Sequence, residues 1–249
     1  MANWSDPRIG ASQPTVSVGR DVAYDAGLRS HMLSVYNYMT SGVLLTAIIA
    51  VLFANSGAVF RLIDLQRGGW TGLGYVVLLA PVVIPFIMSF GLHRIKTSTA
   101  QILFWVYAAL LGMSFSALFL VYTASSIAMT FFATAAAFAS LSLWGYTTKR
   151  DLSGWGTFLL MGVVGLIVAT MLSMFFPTSS GLQLAISAIG VLIFAGLTVY
   201  YTQTIKSLYF QVAGTDMQTK VAIIGALQLY LAFVNMFLYL LRFMGSSRS

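Results

Sequence analysis

The sequence has no cysteine and no glutamate, only two histidines, and charged residues make up just 8% of its 249 positions. Each scarcity excludes something. Without cysteine there is no disulfide, no thiolate nucleophile and no Cys-ligated metal, and cysteine usage carries no signal of redox compartment. A soluble domain carries about 25% charged residues, so this chain cannot clothe itself in an ordinary hydrated surface. The six acids are all aspartates, at 6, 21, 25, 64, 151 and 216, and every one lies outside the long apolar runs. What is present is apolar: 59% of residues are hydrophobic and the mean hydropathy is +0.88. This composition predicts a polytopic membrane protein. The formal charge of +7 does not point to nucleic acid, because the basic residues stand singly or in pairs at the ends of apolar runs, as the positive-inside rule expects.

Charged residues partition the chain almost unaided. Residues 1–30 hold Pro7, Pro14 and charges at 6, 8, 20, 21, 25 and 29, with no apolar core, so they do not form a cleaved signal peptide. They are read as a polar, disordered cytoplasmic tail, followed by a membrane domain over 31–245 and a short tail over 246–249. The first apolar run acts as an uncleaved signal anchor. Residues 32–60 are uncharged and predict a helix near 33–54 with a short exit. In the linker over 55–72, Val59, Phe60, Leu62 and Ile63 suit a flat course along the interface. A second span over 73–93 contains Pro81 and Pro85, which should kink it. The 52 uncharged residues of 97–148 are too many for one helix and predict two, near 100–122 and 127–147. The 54 of 152–205, broken by the Pro177 to Gly181 stretch, predict spans near 155–176 and 182–205.

The seventh run, 221–241, is uncharged and fenced by Lys220 and Arg242. Its 21 residues suffice to cross the hydrocarbon as one helix. Gln228, Asn235 and Tyr239 recur at i, i+7 and i+11, with Ala232 on the same face. Polar groups facing lipid are costly, so this stripe predicts a helix turned toward protein or a wet cavity, the axis around which the others pack. Small residues at four-residue spacing suggest close backbone packing elsewhere: Ala108/Gly112/Ser116, Ala133/Ala137, Gly165/Ala169/Ser173 and Ala222/Ala226. Seven spans place nine basic residues on the amino-terminal side and four on the other, which predicts a cytoplasmic amino terminus and an outside carboxy terminus.

Four stretches carry a family resemblance. They are Val-Tyr-Asn-Tyr-Met over 35–39, Gly-Tyr-Thr-Thr-Lys-Arg-Asp-Leu-Ser-Gly over 145–154, Phe-Ala-Gly-Leu-Thr-Val-Tyr-Tyr-Thr-Gln over 194–203, and 226–245. Together they resemble the Bax inhibitor-1 family, in particular its bacterial YccA-like branch, from about residue 28 to 245. The resemblance implies six helices surrounding a central carboxy-terminal seventh, in a bacterial inner membrane. It also implies a calcium leak gated by protonation of two aspartates on the last two helices. Those two positions are Tyr201 and Ala232 here, so both acids are missing. Paired carboxylates at low dielectric titrate as a coupled pair with raised pKa; tyrosine, ordinarily near ~10, and alanine cannot replace that response near neutrality. The family's basic partner, near the inner end of the second span, falls at Gly91, so cation and anions are lost together.

At the former sensor site, Thr198, Thr202, Gln228 and Asn235 are candidates to line a polar cavity. The plainer reading makes such groups interhelical hydrogen-bond glue. Hard cations want several oxygen ligands including carboxylates, so no metal site and no cofactor are expected. His31 and His93, at the extremes of their spans, read as solvated interfacial residues. An intramembrane aspartyl protease needs two embedded acids, a serine protease an embedded Ser and His, and a retinal protein a mid-span lysine. The apolar runs supply none of these sets, so no enzyme is expected. Two functions remain. One is the calcium leak or ion homeostasis implied by the resemblance, with cations as cargo. The other is a non-conducting regulator or substrate of a membrane-bound AAA protease of the FtsH type, engaged through the tail; beyond that possible protease and the lipid bilayer, the reading implies no partner.

Overall fold

Inside a bilayer every backbone N–H and C=O must be satisfied within the segment, so long uncharged runs have little alternative to helix. The computed structural model describes residues 15–64, 69–91, 94–175 and 179–246, with side chains from residue 26 onward, and is helical through nearly all of them. The helices are α1 (Thr15–Asn55), α2 (Gly72–Gly91), α3 (Thr97–Phe115) with its one-turn continuation α4 (Leu118–Val121), α5 (Ala124–Thr147), α6 (Trp155–Phe175), α7 (Ser180–Val212) and α8 (Met217–Met244). Taking α3 and α4 as one, seven segments are long and apolar enough to cross a membrane. The chain is therefore an all-α, seven-span membrane protein. The predicted breaks fall where side chains cap helices. Thr123 accepts the Ser126 N–H at 3.3 Å to open α5, and Ser179 accepts the Leu182 N–H at 3.3 Å to open α7. α2 runs as one helix through Pro81 and Pro85.

Two expectations need correction. The tail drawn over 1–30 is helix from Thr15 onward; residues 1–14 lie outside the described residues. α1 continues that far because no proline interrupts it after Pro14, and Leu28, Met32, Val35 and Met39 bury one face of it in the bundle. At 41 residues it is about 60 Å long, roughly twice the hydrocarbon thickness. The linker after α1 is folded, and part of it is buried in protein. Gly57 at φ 70° turns the chain into a short 3-10 turn (Ala58–Arg61). Two short antiparallel strands follow, β1 (Ile63–Asp64) and β2 (Gly69–Trp70), with Ile63 opposite Trp70. Val59 and Leu62 are buried while Phe60 points outward. Gly74 at the start of α2 lies against the Leu62 carbonyl with no room for a Cβ.

α8 is the most enclosed helix: 67% of its spanning window is buried, against 17–33% in the other six. Its broadest interface is with α7, and it also packs on α1, α3 and α5. The principal neighbour of α6 is α7. Two of the four small-residue rows do what their spacing suggests. On α3, Ala108, Gly112 and Ser116 are buried, and a Cβ on Gly112 would stand 2.7 Å from the Thr46 carbonyl. On α8, Ala222 and Ala226 are buried, and Gly225 between them leaves room for Ile205. Gly165 on α6 instead faces outward with nothing within 4 Å, and Ala133 on α5 is exposed. α1 at Gly27 and His31 meets the carboxy-terminal part of α7 at one face of the bundle, where Tyr209 packs against Gly27 and the His31 ring. At the other face Ser246 accepts the Thr123 N–H at 3.3 Å, and its own N–H donates to Ser126 Oγ at 2.9 Å.

Candidate functional site

A hydroxyl inside a membrane must find a partner, and two chains of hydroxyls pin α1 to the rest of the bundle. In the first, Thr46 Oγ1 donates to the Ala108 carbonyl at 2.8 Å and lies 2.6 Å from Tyr230 Oη. Since the single Thr46 proton is committed to Ala108, Tyr230 is the donor of the second bond. The Tyr230 ring sits edge-on to Tyr107 at 5.5 Å and Phe104 at 6.0 Å, sealing the α1–α3–α8 seam. In the second chain, Tyr36 Oη is 2.6 Å from Ser142 Oγ, which is 3.1 Å from Thr202 Oγ1. Thr202 donates to the Thr198 carbonyl at 2.8 Å. One proton per hydroxyl then fixes the direction: Tyr36 to Ser142 to Thr202 to the Thr198 carbonyl. This relay crosses from α1 through α5 to α7 and carries no charge.

Tyr36 and Ser142 also mark the floor of an opening. α1 and α5 both rest on α8 but stand apart from each other for most of their length. Between them lies a cavity of about 690 Å³, bounded by Arg29, Tyr36, Val43, Phe138, Tyr146 and Phe233 among others. A second cavity, of about 750 Å³, continues toward Asn55 and Thr123, and the two share Val43, Phe131 and Phe233. They form one lateral groove along α1, lined mainly by apolar side chains. At the Arg29 end, Lys206 Nζ donates to the Tyr146 carbonyl at 3.0 Å and lies 5.1 Å from the Tyr146 ring centre.

The residues singled out from sequence do not assemble into a polar cavity. Thr198 and Thr202 are fully buried, and Thr198 spends its proton on the Phe194 carbonyl at 2.8 Å. The Asn235 amide donates to the Leu231 carbonyl of its own helix at 2.8 Å, a bond that bridges no helices. Gln228 is half-buried, and none of these four lines the groove. Tyr239 stacks on Phe194 at 5.8 Å across a gap that Gly190 keeps open. Tyr201 is half-buried with its ring 5.7 Å from Tyr200, while Ala232 is 1% exposed. Gly91 ends α2, where its carbonyl accepts the Arg94 and Ile95 N–H groups at 2.8 and 3.0 Å. His31 is not solvated as expected: it is 3% exposed, tilted on Tyr209 at 5.2 Å, with Nε2 buried and unbonded. The reason is that α1 already runs alongside α7 at that level. His93 lies outside the described residues. Among the described residues no three of His, Asp, Glu or Cys cluster to hold a metal.

Sequence reasoning missed Tyr36, Thr46, Ser142 and Tyr230. Tyr36 stands in the 35–39 stretch and Tyr230 in the 226–245 stretch, but nothing in a single sequence pairs them with hydroxyls 106 and 184 positions away. Outside the spans, the α5–α6 corner is held from α7. Gln203 accepts the Leu152 N–H at 2.9 Å and donates to the Arg150 carbonyl at 2.6 Å. Beside it, the Ser153 N–H bonded to Asp151 at 2.9 Å holds that carboxyl below its ordinary pKa.

A family profile described as "Inhibitor of apoptosis-promoting Bax1" matches residues 28–249. A protein of Rickettsia prowazekii is 42% identical over 240 residues, which is 96% of this chain and 99% of that one. One from Caulobacter vibrioides is 44% identical over 233 residues, 92% and 93% of the two chains. The Escherichia coli inner membrane protein YbhL is 43% identical over 225 residues, 90% of this chain and 94% of its own. A profile match across nearly the whole membrane domain, with relatives this similar end to end, means that the chain belongs to the Bax inhibitor-1 family.

Proposed function

We propose that this protein is a bacterial inner-membrane regulator of other membrane proteins, with no catalytic role and no proton-gated calcium leak of the paired-acid kind. The observation that carries the reading is the chemistry of the bundle interior. Hydroxyls and amides line its polar seams, and Tyr201 and Ala232 stand where a titrating acid pair would be needed. The relay through Tyr36, Ser142 and Thr202 is neutral and ends on a backbone carbonyl. It ties helices together and offers no coupled carboxylates to sense pH. The name of the Escherichia coli relative supports the inner-membrane assignment. The excess of basic residues at the α1 amino-terminal face supports a cytoplasmic amino terminus. The partner we favour is a membrane-bound AAA protease of the FtsH type, engaged through the amino-terminal residues that precede Leu28, where α1 enters the bundle.

Dye-reported calcium entry into proteoliposomes tests the first half. The unaltered protein should show low flux with no steep transition between about pH 6 and 8, the interval in which an ordinary imidazole titrates. Ala232→Asp alone should destabilise the fold by roughly 2.5–3.5 kcal/mol, the cost of an acid at the centre of a span. A sharp pH-gated leak from the unaltered protein would overturn the reading. For the second half, deleting residues ahead of the membrane should lengthen the protein's cellular half-life, and an unchanged half-life counts against the protease.

A further inference from the structure

The groove between α1 and α5 is asymmetric in charge, and the asymmetry says what it holds. Arg29 and Asn55 bound its two ends along α1. Twenty-six residues of helix separate them, about 39 Å, close to the ~40–45 Å between the two headgroup layers of a bilayer. Arg29 therefore stands at headgroup depth when Asn55 stands at the opposite surface. One cation lines the Arg29 end, Arg29 itself, exposed; a second, Lys206, stands behind the lining, its ammonium spending one of three protons on the carbonyl of the lining residue Tyr146. At the Asn55 end the lining offers Thr123 and Asn55 and no cation. Among the described residues no acid lines either cavity. Below Arg29 the lining is mainly apolar, with Met39, Val43, Phe131 and Phe138, and Tyr36, Thr40 and Ser142 supply its hydroxyls.

We propose that the Arg29 half of this groove is a binding site for one anionic glycerophospholipid of the adjoining leaflet. Its phosphate pairs with Arg29, Lys206 behind Tyr146 adds positive charge at that end, and one acyl chain lies in the 690 Å³ cavity between α1 and α5. A guanidinium matches phosphate oxygens through paired N–H donors, and an ammonium adds a point charge. The acyl chain separates this ligand from a free phosphate, which would have no use for the apolar cavity. The charge separates it from bulk lipid, because a zwitterionic headgroup would bring its own cation against Arg29 and Lys206. The Asn55 half, without cations, takes whatever chain the opposite leaflet supplies.

The test is native mass spectrometry of the full chain released from nanodiscs of equal phosphatidylglycerol and phosphatidylcholine with matched acyl chains. The protein should retain one phosphatidylglycerol in preference to phosphatidylcholine. The double variant Arg29→Gln with Lys206→Gln should lower that preference at least roughly fivefold. Ala139→Trp, at an exposed position on the α5 wall of the cavity, should reduce retention of both lipids; Ala135→Phe on the same wall serves if that variant does not fold. Equal retention of the two lipids by the unaltered protein would overturn the proposal. So would a preference that survives loss of both cations, undiminished retention in the wall variant, or a lipid-free dimer in which a second copy fills the groove.

Discussion

α6 and α8 are about equally apolar and both cross the membrane, yet 17% of the spanning window of α6 is buried against 67% for α8. In water such a difference would follow apolarity. In lipid it cannot, because a leucine gains little by exchanging an acyl chain for another leucine. What distinguishes α8 is the distribution of small and polar groups. Ala222, Gly225, Ala226 and Ala232 let neighbouring helices approach on several sides, and Tyr230 supplies a hydroxyl that only another helix can satisfy. α6 has such contacts along one stripe. Gly156 faces the Tyr200 ring, Gly162 faces Ile193, and Leu159 packs against Gly196, all on α7. Its other faces carry exposed Phe158, Met161, Val164 and Met171.

The largest effect should come from adding bulk to each helix. Ala226 is fully buried in α8, so Ala226→Leu overpacks the interface and should cost about 1–3 kcal/mol. Gly165→Leu places the same side chain on α6 where nothing lies within 4 Å. It should be neutral, or stabilising by up to ~1 kcal/mol through helix propensity. Thermal unfolding midpoints in detergent measure both. Equal losses from the two variants would mean that α6 is enclosed by something in the membrane, and the contrast between the helices would fall.

This contrast also marks how far sequence reading reaches. Charge-free run lengths and the Thr123 and Ser179 breaks give the number of spans and most of their ends, because the bilayer imposes its thickness on the chain; α1 and α7 run beyond their expected bounds, to Thr15 and Val212. The small residues of 221–241 single out a helix enclosed by protein, while the polar stripe of Gln228, Asn235 and Tyr239 is only half-buried. The same reasoning fails for Gly165/Ala169/Ser173, since a row of small residues permits close approach without supplying a neighbour. It fails again for the site. Thr198 and Thr202 are recognisably polar, but whether such a hydroxyl lines a cavity or returns to the carbonyl four residues back is decided by the partner helix. Tyr36, Ser142 and Arg29 come together only through tertiary packing, and a single sequence has no term for it.

A smaller effect separates a hydroxyl that bridges helices from one that does not. Tyr230→Phe removes the donor to Thr46 while the Thr46 bond to the Ala108 carbonyl stays. The expected loss is about 0.6–1.7 kcal/mol, the range for such bonds between membrane helices. On α6, Ser173 donates to the Thr170 carbonyl of its own helix at 2.7 Å. Ser173→Ala should therefore change the unfolding midpoint little. A Tyr230→Phe variant as stable as the unaltered chain would show that the α8 seam is held by ring packing alone.

The smallest effect concerns how α6 is tethered at its entry. Gln203 clasps the corner from α7, and Asp151 orders it from within by accepting the Ser153 N–H. That bond favours the charged carboxylate and lowers the Asp151 pKa in the folded state. The sign follows from linkage. A depressed folded pKa adds stability above the ordinary carboxylate range, and this is lost as pH falls through the folded value below that range. Asp151 is fully exposed, so solvent screens most of the effect. Asp151→Asn keeps an oxygen for the Ser153 N–H and gives up the charge. It should melt marginally below the unaltered chain at neutral pH, and the gap should close as the solution is acidified past the carboxylate range. Gln203→Leu breaks two bonds instead of weakening one, so its loss should be larger and independent of pH over the same interval. A gap for Asp151→Asn that widens on acidification would mean that the carboxylate is held by something other than the Ser153 N–H, and the corner would need a different account.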